Sequence, residues 1–125
     1  MDYAIHTDEK YGPLEVVDVG RLADGCAEPW WNQTLCRVND SVARVGVFLG
    51  EFHWHKHDRE DEFFYVVEGK LLLDLEAVEG LEGRTFELAP RQGLLVPRGV
   101  VHRTRARERT VVLMIEAATV VPTGD

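Results

Sequence analysis

Long apolar runs are missing from this 125-residue chain. The longest clear one covers residues 111–115, far short of the roughly 18 residues that a membrane-spanning helix needs. Residues 1–6 carry neither a basic stretch nor an apolar one, so we expect no signal peptide. The sequence therefore predicts a cytoplasmic protein that has no membrane partner.

Basic residues are also in short supply, with 14 Lys and Arg against 22 Asp and Glu, which gives a net charge of −8. Such an acidic excess argues against a protein that follows nucleic-acid phosphates. No helix-turn-helix pattern is present, which argues against a self-contained transcriptional sensor. A small molecule is the expected partner.

Cysteine is scarce as well. Cys26 and Cys36 are the two cysteines, and they do not form a CxxC pair. In a reducing compartment we expect two free, buried thiols rather than a disulfide or a catalytic thiol. The chain is long enough for one domain with a real core, and we expect a single domain over residues 1–125.

Short apolar or alternating runs, separated by Gly, Pro, Asn and Asp, dominate the chain. Only residues 19–24 suggest a helical turn. Eight or nine short strands with regular turn signals are typical of an all-β sandwich or barrel. The predicted strands are residues 33–38, 42–49, 51–57, 63–67, 70–75, 84–88, 94–97, 101–105 and 110–116, with a hairpin loop at 76–83.

Histidines and carboxylates cluster in residues 55–62. On a strand, His55 and His57 would lie on one face, close enough to converge on one ion. Glu62 opens the next predicted strand, and His102 follows a Pro/Gly turn. Three imidazoles and one carboxylate suit Fe, Mn, Ni, Co or Zn as divalent ions, and they leave coordination positions open for catalysis.

These residues resemble the two motifs of the cupin family. HxHxxxxExxxxxxG matches His55, His57, Glu62 and Gly69, and PxGxxH matches Pro97, Gly99 and His102. The resemblance covers about residues 40–117. It implies a double-stranded β-helix, or jelly-roll barrel, that holds one divalent metal with His55, His57, Glu62 and His102. It also implies a homodimer.

Some positions depart from the family pattern. Gly50 lies one residue nearer to His55 than usual, residues 91–92 are Arg-Gln where Gly-Asp is usual, and Ala106 replaces a frequent Asn. None of these positions is a metal ligand. The pattern around residues 54–69 resembles small bacterial cupins that are labelled mannose-6-phosphate isomerase-like, which is a fold-level likeness.

His53 and Thr104 are the candidate catalytic residues. His53 is too far from His57 along a strand to share its ion, so we expect a neighbouring role in proton transfer, with a core histidine as the alternative. Thr104 shares a face with His102. Phe64 and Val66 share a face with Glu62 and are expected to line an apolar pocket around the metal.

The leading hypothesis is a small-molecule enzyme whose metal polarises a carboxylate, enol or diol. Iron would favour a ring- or chain-cleaving dioxygenation; Zn, Mn, Ni or Co would favour isomerase or lyase chemistry. The alternatives are a non-catalytic module that binds a small ligand or metal and acts with a partner protein, and a purely structural accessory protein.

Overall fold

A computed structural model describes residues 2–125. The chain is almost entirely β-structure, and its single short helix α1 covers Val19–Asp24, as the sequence predicts. Asp18 caps α1 by accepting a hydrogen bond from the Arg21 backbone N–H at 3.0 Å. The strands are β1 (Ala4–His6), β2 (Trp30–Val38), β3 (Ser41–Glu51), β4 (Glu62–Glu68), β5 (Leu71–Leu75), β6 (Arg84–Leu88), β7 (Gly93–Val96) and β8 (His102–Ala117).

The strands form one mixed sheet in the order β1-β2-β3-β8-β4-β7, with β5 and β6 attached through β8. β8 carries this arrangement because it pairs antiparallel with β3, β4 and β5. Its first residues pair with β5 and its later ones with β4. The all-β jelly-roll prediction is therefore confirmed.

Two apolar clusters stabilise the sheet. The larger one fills the interior between the two halves of the barrel and includes Trp30, Phe64 and Leu73. The second lies between the outer face of β2, β3 and β8 and the segment that carries α1, with Ala23 and Val45 at its centre. The interior cluster surrounds the predicted metal ligands on their apolar side.

The strand predicted at 51–57 is wrong. β3 ends at Glu51, and residues 52–61 form a loop that makes one isolated bridge, between His55 and His102. The ladder between β3 and β8 shifts register between Phe48 and Gly50, and Gly50 has φ +104°. This irregularity turns the chain away from the sheet before the histidines are reached.

Other strand assignments also differ from the sequence predictions. The strands predicted at 101–105 and 110–116 are one strand, β8, whose pairing with β3 continues from Ala106 to Thr110 across a register shift. β2 begins at Trp30 rather than residue 33, and β1 was not predicted. β1 is only three residues long and pairs parallel to β2, so its sequence carries little local signal for a strand.

No helix within residues 2–125 is long and apolar enough to cross a bilayer.

Candidate metal centre

The loop at 52–61 brings two histidines against the start of β8. His55 and His102 exchange backbone hydrogen bonds, His55 N–H to His102 O at 2.9 Å and His102 N–H to His55 O at 2.8 Å. Two residues on, the Gly99 N–H donates to the His57 carbonyl at 2.8 Å. The second motif is thus tied to the first by backbone bonds.

The four predicted ligands come together. His55, His57, Glu62 and His102 each offer a ligand atom within 4.8 Å of the others. Glu62, the first residue of β4, lies with Oε1 3.2 Å from His102 Nε2 and 3.5 Å from His57 Nε2. His57, Glu62 and His102 are buried, and His55 is half-buried.

Two of the imidazoles are oriented by backbone carbonyls. His55 Nδ1 lies 3.0 Å from the His53 carbonyl, and His102 Nδ1 lies 2.9 Å from the Val100 carbonyl. A carbonyl only accepts, so each Nδ1 carries the proton and each Nε2 keeps its lone pair. This is the tautomer that a metal-binding histidine needs.

His57 provides a test of whether a metal fits. Its side chain is 98% buried, yet neither ring nitrogen has a hydrogen-bond partner among the described residues. Leaving such a buried polar group unsatisfied costs about 1–3 kcal/mol. Coordination to an ion would remove that cost, so the donor set fits a divalent transition metal.

The titration behaviour of the cluster agrees with this. Burial, and then the neighbouring His102, lowers the pKa of His55 to about 4, so His55 is neutral at pH 7. Burial alone would lower the pKa of His57, but the contact with Glu62 raises it. Burial alone would raise the pKa of Glu62, but its contacts with Glu116, His102 and His57 lower it. The set therefore contains an ionised carboxylate.

Behind Glu62 lies a buried polar network that sequence reasoning missed. Arg44 Nε is 3.3 Å from Glu116 Oε1, and both side chains are almost fully buried. The same guanidinium donates to Thr34 Oγ1 and Asn32 Oδ1. Alternation could have revealed two members, because Glu116 follows Val112 and Met114 on the inward face of β8, and Arg44 precedes Gly46 and Phe48 on β3.

Glu116 lies directly opposite Glu62 in the pairing of β8 with β4, and both side chains are buried. Two carboxyl groups can share a hydrogen bond only if one carries a proton. Burial, and then the negative charge of Glu62, raises the pKa of Glu116 to about 10. Glu116 is therefore the protonated partner at pH 7, and Glu62 keeps its charge.

A small cavity lies between the metal ligands and this network. Its volume is about 20 Å³, which is room for about one water molecule. Aromatic and apolar side chains form most of its wall, including Phe64 as the sequence predicts; Val66 instead belongs to the core. The polar lining residues are Asn32, His55, Glu62, Thr104 and Glu116.

Residues 118–125, which we call the strap, cover the mouth of this cavity. Pro122 lines the cavity itself, and Gly124 packs so closely that a Cβ there would lie 2.5 Å from His55 Cβ. Four hydrogen bonds attach the strap to the histidine loop. They are His53 Nε2 with Thr123 O (2.7 Å), Asp125 N–H to Lys56 O (3.0 Å), Asp58 N–H to Asp125 Oδ2 (2.7 Å) and Thr119 Oγ1 to Glu60 Oε2 (2.6 Å).

The structure places the two candidate catalytic residues differently. Thr104 is buried and lines the cavity. His53 is exposed at the rim, where its ring stacks on Phe52 and bonds the strap. The direct contribution of His53 to the ligand set is its backbone carbonyl, which orients His55.

Cys26 and Cys36 are half-buried and unbridged, so the expected free thiols are found, although neither is fully buried.

The chain belongs to the cupin domain family, whose model matches residues 49–117. It is 42% identical to the uncharacterised protein YdbB of Bacillus subtilis (strain 168) over 95 residues, which is 76% of this chain and 80% of YdbB. It is also 45% identical over 65 residues to the polyketide synthase CurC of Streptomyces cyaneus, covering 52% of this chain and 36% of CurC.

Solved cupin structures share the fold. A cupin-2 domain protein from Shewanella frigidimarina superposes with a TM-score of 0.72 at 25% identity, covering 82% of this chain and 94% of that one. Hydroquinone 1,2-dioxygenase from Sphingomonas sp. TTNP3 gives a TM-score of 0.73 at 16% identity, covering 86% of this chain and 33% of the dioxygenase. At that identity the second likeness describes the fold alone.

Proposed function

We propose that this protein binds one divalent transition metal through His55, His57, Glu62 and His102 and uses it to act on a small molecule. The observation that carries the proposal is the buried His57 ring, whose two nitrogens lack partners beside three further ligands of suitable type. Fe, Mn, Zn, Ni and Co all suit this donor set.

The bound ion would act as a Lewis acid on an oxygen of the substrate. The chain's own residues would do the rest. The His53 and Val100 carbonyls hold two imidazoles in the ligating tautomer, and Glu116 holds the Glu62 carboxylate in place. The aromatic wall keeps bulk water away from the reacting atoms. With iron we propose a dioxygenase, and with the other ions an isomerase or lyase.

We propose that Thr104 and His53 transfer protons during the reaction. Thr104 lines the cavity and can exchange a hydroxyl proton with a bound molecule. The exposed His53 ring has its centroid 5.4 Å from that of His55 and contacts solvent, the source of those protons. His53→Gln should then lower turnover while metal content stays unchanged.

A non-catalytic binding module is the second candidate. The closed strap and the cavity of about 20 Å³ favour it, because a substrate of several atoms does not fit in this conformation. Such a module would hold a metal or a small ligand and act with a partner protein. It would show saturable binding and form no product.

The first experiment measures the metal. Metal-free protein is titrated with Fe(II), Mn(II), Co(II), Ni(II) and Zn(II), and bound metal is counted by elemental analysis. We expect one ion per chain, lost in His102→Ala and retained in His53→Ala, a matched histidine outside the ligand set. Stoichiometric binding by His102→Ala would overturn the site. Oxygen-consumption screens for the iron form, and isomerase and lyase screens for the others, then separate enzyme from module.

We also propose a homodimer. In-register residues Ala43, Ile115, Phe63 and Leu95 form an uncharged row across four strands. Ile115 is 46% exposed and Leu95 is 55% exposed. A second copy would cover this face, since exposed apolar patches often mark interfaces. Light scattering of the wild type should give twice the chain mass, and the double variant Leu95→Lys, Ile115→Lys should give the mass of one chain. Equal masses for the wild type and the double variant would contradict this proposal.

We further propose that one cupin domain accounts for residues 1–125 and that the protein is cytoplasmic, which the unbridged cysteines favour. The sequence also predicts membership of the small cupins labelled mannose-6-phosphate isomerase-like, a likeness that specifies no substrate.

A further inference from the structure

The cavity behind the metal ligands contains two buried polar side chains whose bonding capacity is not used up. Asn32 is 92% buried and Thr104 is 96% buried, and both line the cavity. Asn32 accepts from Arg44 through its amide oxygen. The Asn32 amide N–H₂ and the Thr104 hydroxyl make no hydrogen bond among the described residues, and neither is one of the fully enclosed polar atoms that lack a partner. Both are therefore accessible from the cavity that they line, and a group bound there can hydrogen-bond to them.

Arg44 determines which way the Asn32 amide faces. A guanidinium has donors only, so the Asn32 atom that it contacts must be the oxygen. The amide nitrogen is therefore on the other side. Glu116 and Thr34 also bind Arg44 and help to fix this arrangement. With its oxygen bound to Arg44, Asn32 has its N–H₂ donor available to the cavity.

No Lys or Arg is among the described residues that line the cavity, so a bound anion would not be held there by a cationic side chain. The negative charge of Glu62 leaves a bound divalent ion with a net charge of +1, which one anionic oxygen balances. The volume of about 20 Å³ admits one oxygen-sized group at the deep end.

We propose, on the basis of the proposed metal site, that Asn32 recognises the second oxygen of the substrate. The ligand class is a small compound with two neighbouring oxygens, such as a short carboxylate, a hydroxy ketone or an enediol. One oxygen binds the metal, and the other accepts a hydrogen bond from the Asn32 amide, with the Thr104 hydroxyl beside it. Asn32 is a specificity-determining residue, and Arg44 positions it.

The test uses Co(II)-loaded protein and formate, the smallest carboxylate, with visible absorption as the readout. Asn32→Leu removes the cavity donor and one Arg44 partner. Thr34→Val removes an Arg44 partner only, because Thr34 does not line the cavity, and it is the matched control. Chloride, which has a single donor atom, is the control ligand.

We expect Asn32→Leu to weaken formate binding at least tenfold, and Thr34→Val to change it less than threefold. Co(II) affinity and chloride binding should stay within threefold in both variants. Should Asn32→Leu fail to fold, Asn32→Ala takes its place, since it also removes the donor and adds no charge.

The other outcomes separate the two proposals. Equal loss of formate binding in Asn32→Leu and Thr34→Val would overturn the role of Asn32 and assign the effect to the Arg44 network. Co(II) binding without formate binding in the wild type would overturn the inference and leave the metal site intact. Absence of Co(II) binding in the wild type would instead contradict the proposed function itself.

Discussion

At the scale of single residues, the most unusual feature is the pair of buried carboxyl groups, Glu62 and Glu116, directly opposite each other on β4 and β8. Glu62 must be ionised to ligate a cation, and a second carboxylate so close would repel it. Burial and the Glu62 charge keep Glu116 protonated, so it donates to Glu62. The Arg44 guanidinium contacts a carboxyl oxygen of Glu116, with Nε 3.3 Å from Oε1. One metal ligand is thus fixed by a neutral acid.

This arrangement predicts a stability effect at alkaline pH. The folded-state pKa of Glu116 is raised to about 10 from 4.5. The contribution of protonated Glu116 to the free energy of unfolding is therefore full below pH 4.5 and is lost as the pH rises toward 10. From pH 7 to 9 the free energy of unfolding of wild type should fall more steeply than that of Glu116→Gln, by about 1 kcal/mol per pH unit. Urea denaturation of metal-free protein at each pH measures it.

Gln is the matched replacement because its amide can donate to Glu62 while its oxygen accepts from Arg44. Glu116→Ala should cost about 1–3 kcal/mol at pH 7, because it leaves the buried Arg44 guanidinium without the oxygen that it contacts. Parallel pH profiles for wild type and Glu116→Gln would show that Glu116 is not the protonated group.

At the scale of elements, the site depends on irregular segments that regular strands hold in place. β8 supplies His102 and Glu116 from its two ends, and the loop at 52–61 supplies His55 and His57. The alternation in residues 53–57 looks like a strand, yet Gly50 and the register shift end the pairing first. The local pattern therefore placed the histidines on the wrong element, although the motif spacing still identified all four clustered residues.

Gly124 in the strap offers a test of this dependence. A Cβ at Gly124 would lie 2.5 Å from His55 Cβ, and the residue has φ +96°. Gly80 has a similar φ of +81° with nothing within 4 Å of the added atom, which makes Gly80→Ala the matched control. Gly124→Ala should weaken Co(II) binding at least tenfold in a chelator competition, and Gly80→Ala should leave it unchanged. Equal effects would mean that only backbone strain matters.

The outer face of the barrel contains a second element-scale contact. Asp74 on β5 accepts from Arg103 Nε at 2.8 Å and Arg105 Nε at 2.7 Å on β8, and from Thr85 on β6 at 2.6 Å. Burial opposes ionisation, but these bonds lower the pKa of Asp74. They give Arg103 and Arg105 a common carboxylate partner.

Asp74→Asn should cost about 1–3 kcal/mol at pH 7, since it leaves two arginines without their carboxylate. The folded-state pKa of Asp74 is lowered from 3.8. The difference in free energy of unfolding between wild type and Asp74→Asn should therefore be full above pH 3.8 and shrink below it. Guanidinium titrations at pH 7 and pH 3 compare the two proteins. A difference that is the same at both pH values would contradict the ion-pair account.

At the scale of the whole molecule, metal binding should be visible as stability. A ligand at 100 times its Kd adds about 2.7 kcal/mol to the free energy of unfolding. Zn(II) or Co(II) should therefore raise the Tm of wild type by several degrees, a chelator should reverse the shift, and His102→Ala should show none. A chelator-insensitive Tm in wild type would argue for a purely structural barrel.

The fold class and the ligand cluster could be predicted because each rests on a short pattern, strand alternation or motif spacing. The Arg44 network and the strap could not. Arg44 and Glu116 are 72 positions apart in the numbering and meet only through the antiparallel register of β3 and β8. The strap has no periodicity at all, and its position depends on backbone carbonyls and one glycine.

That strap has a consequence for timescales. Its four hydrogen bonds and the packing of Gly124 on His55 stand between the ligand atoms and the solvent. Anything larger than the small cavity reaches the histidines only after these bonds have opened together. Entry and departure are therefore slowed by the same barrier, so residence times lengthen without any gain in equilibrium affinity. An ion acquired during folding would persist through purification and record the metal supply of the cell.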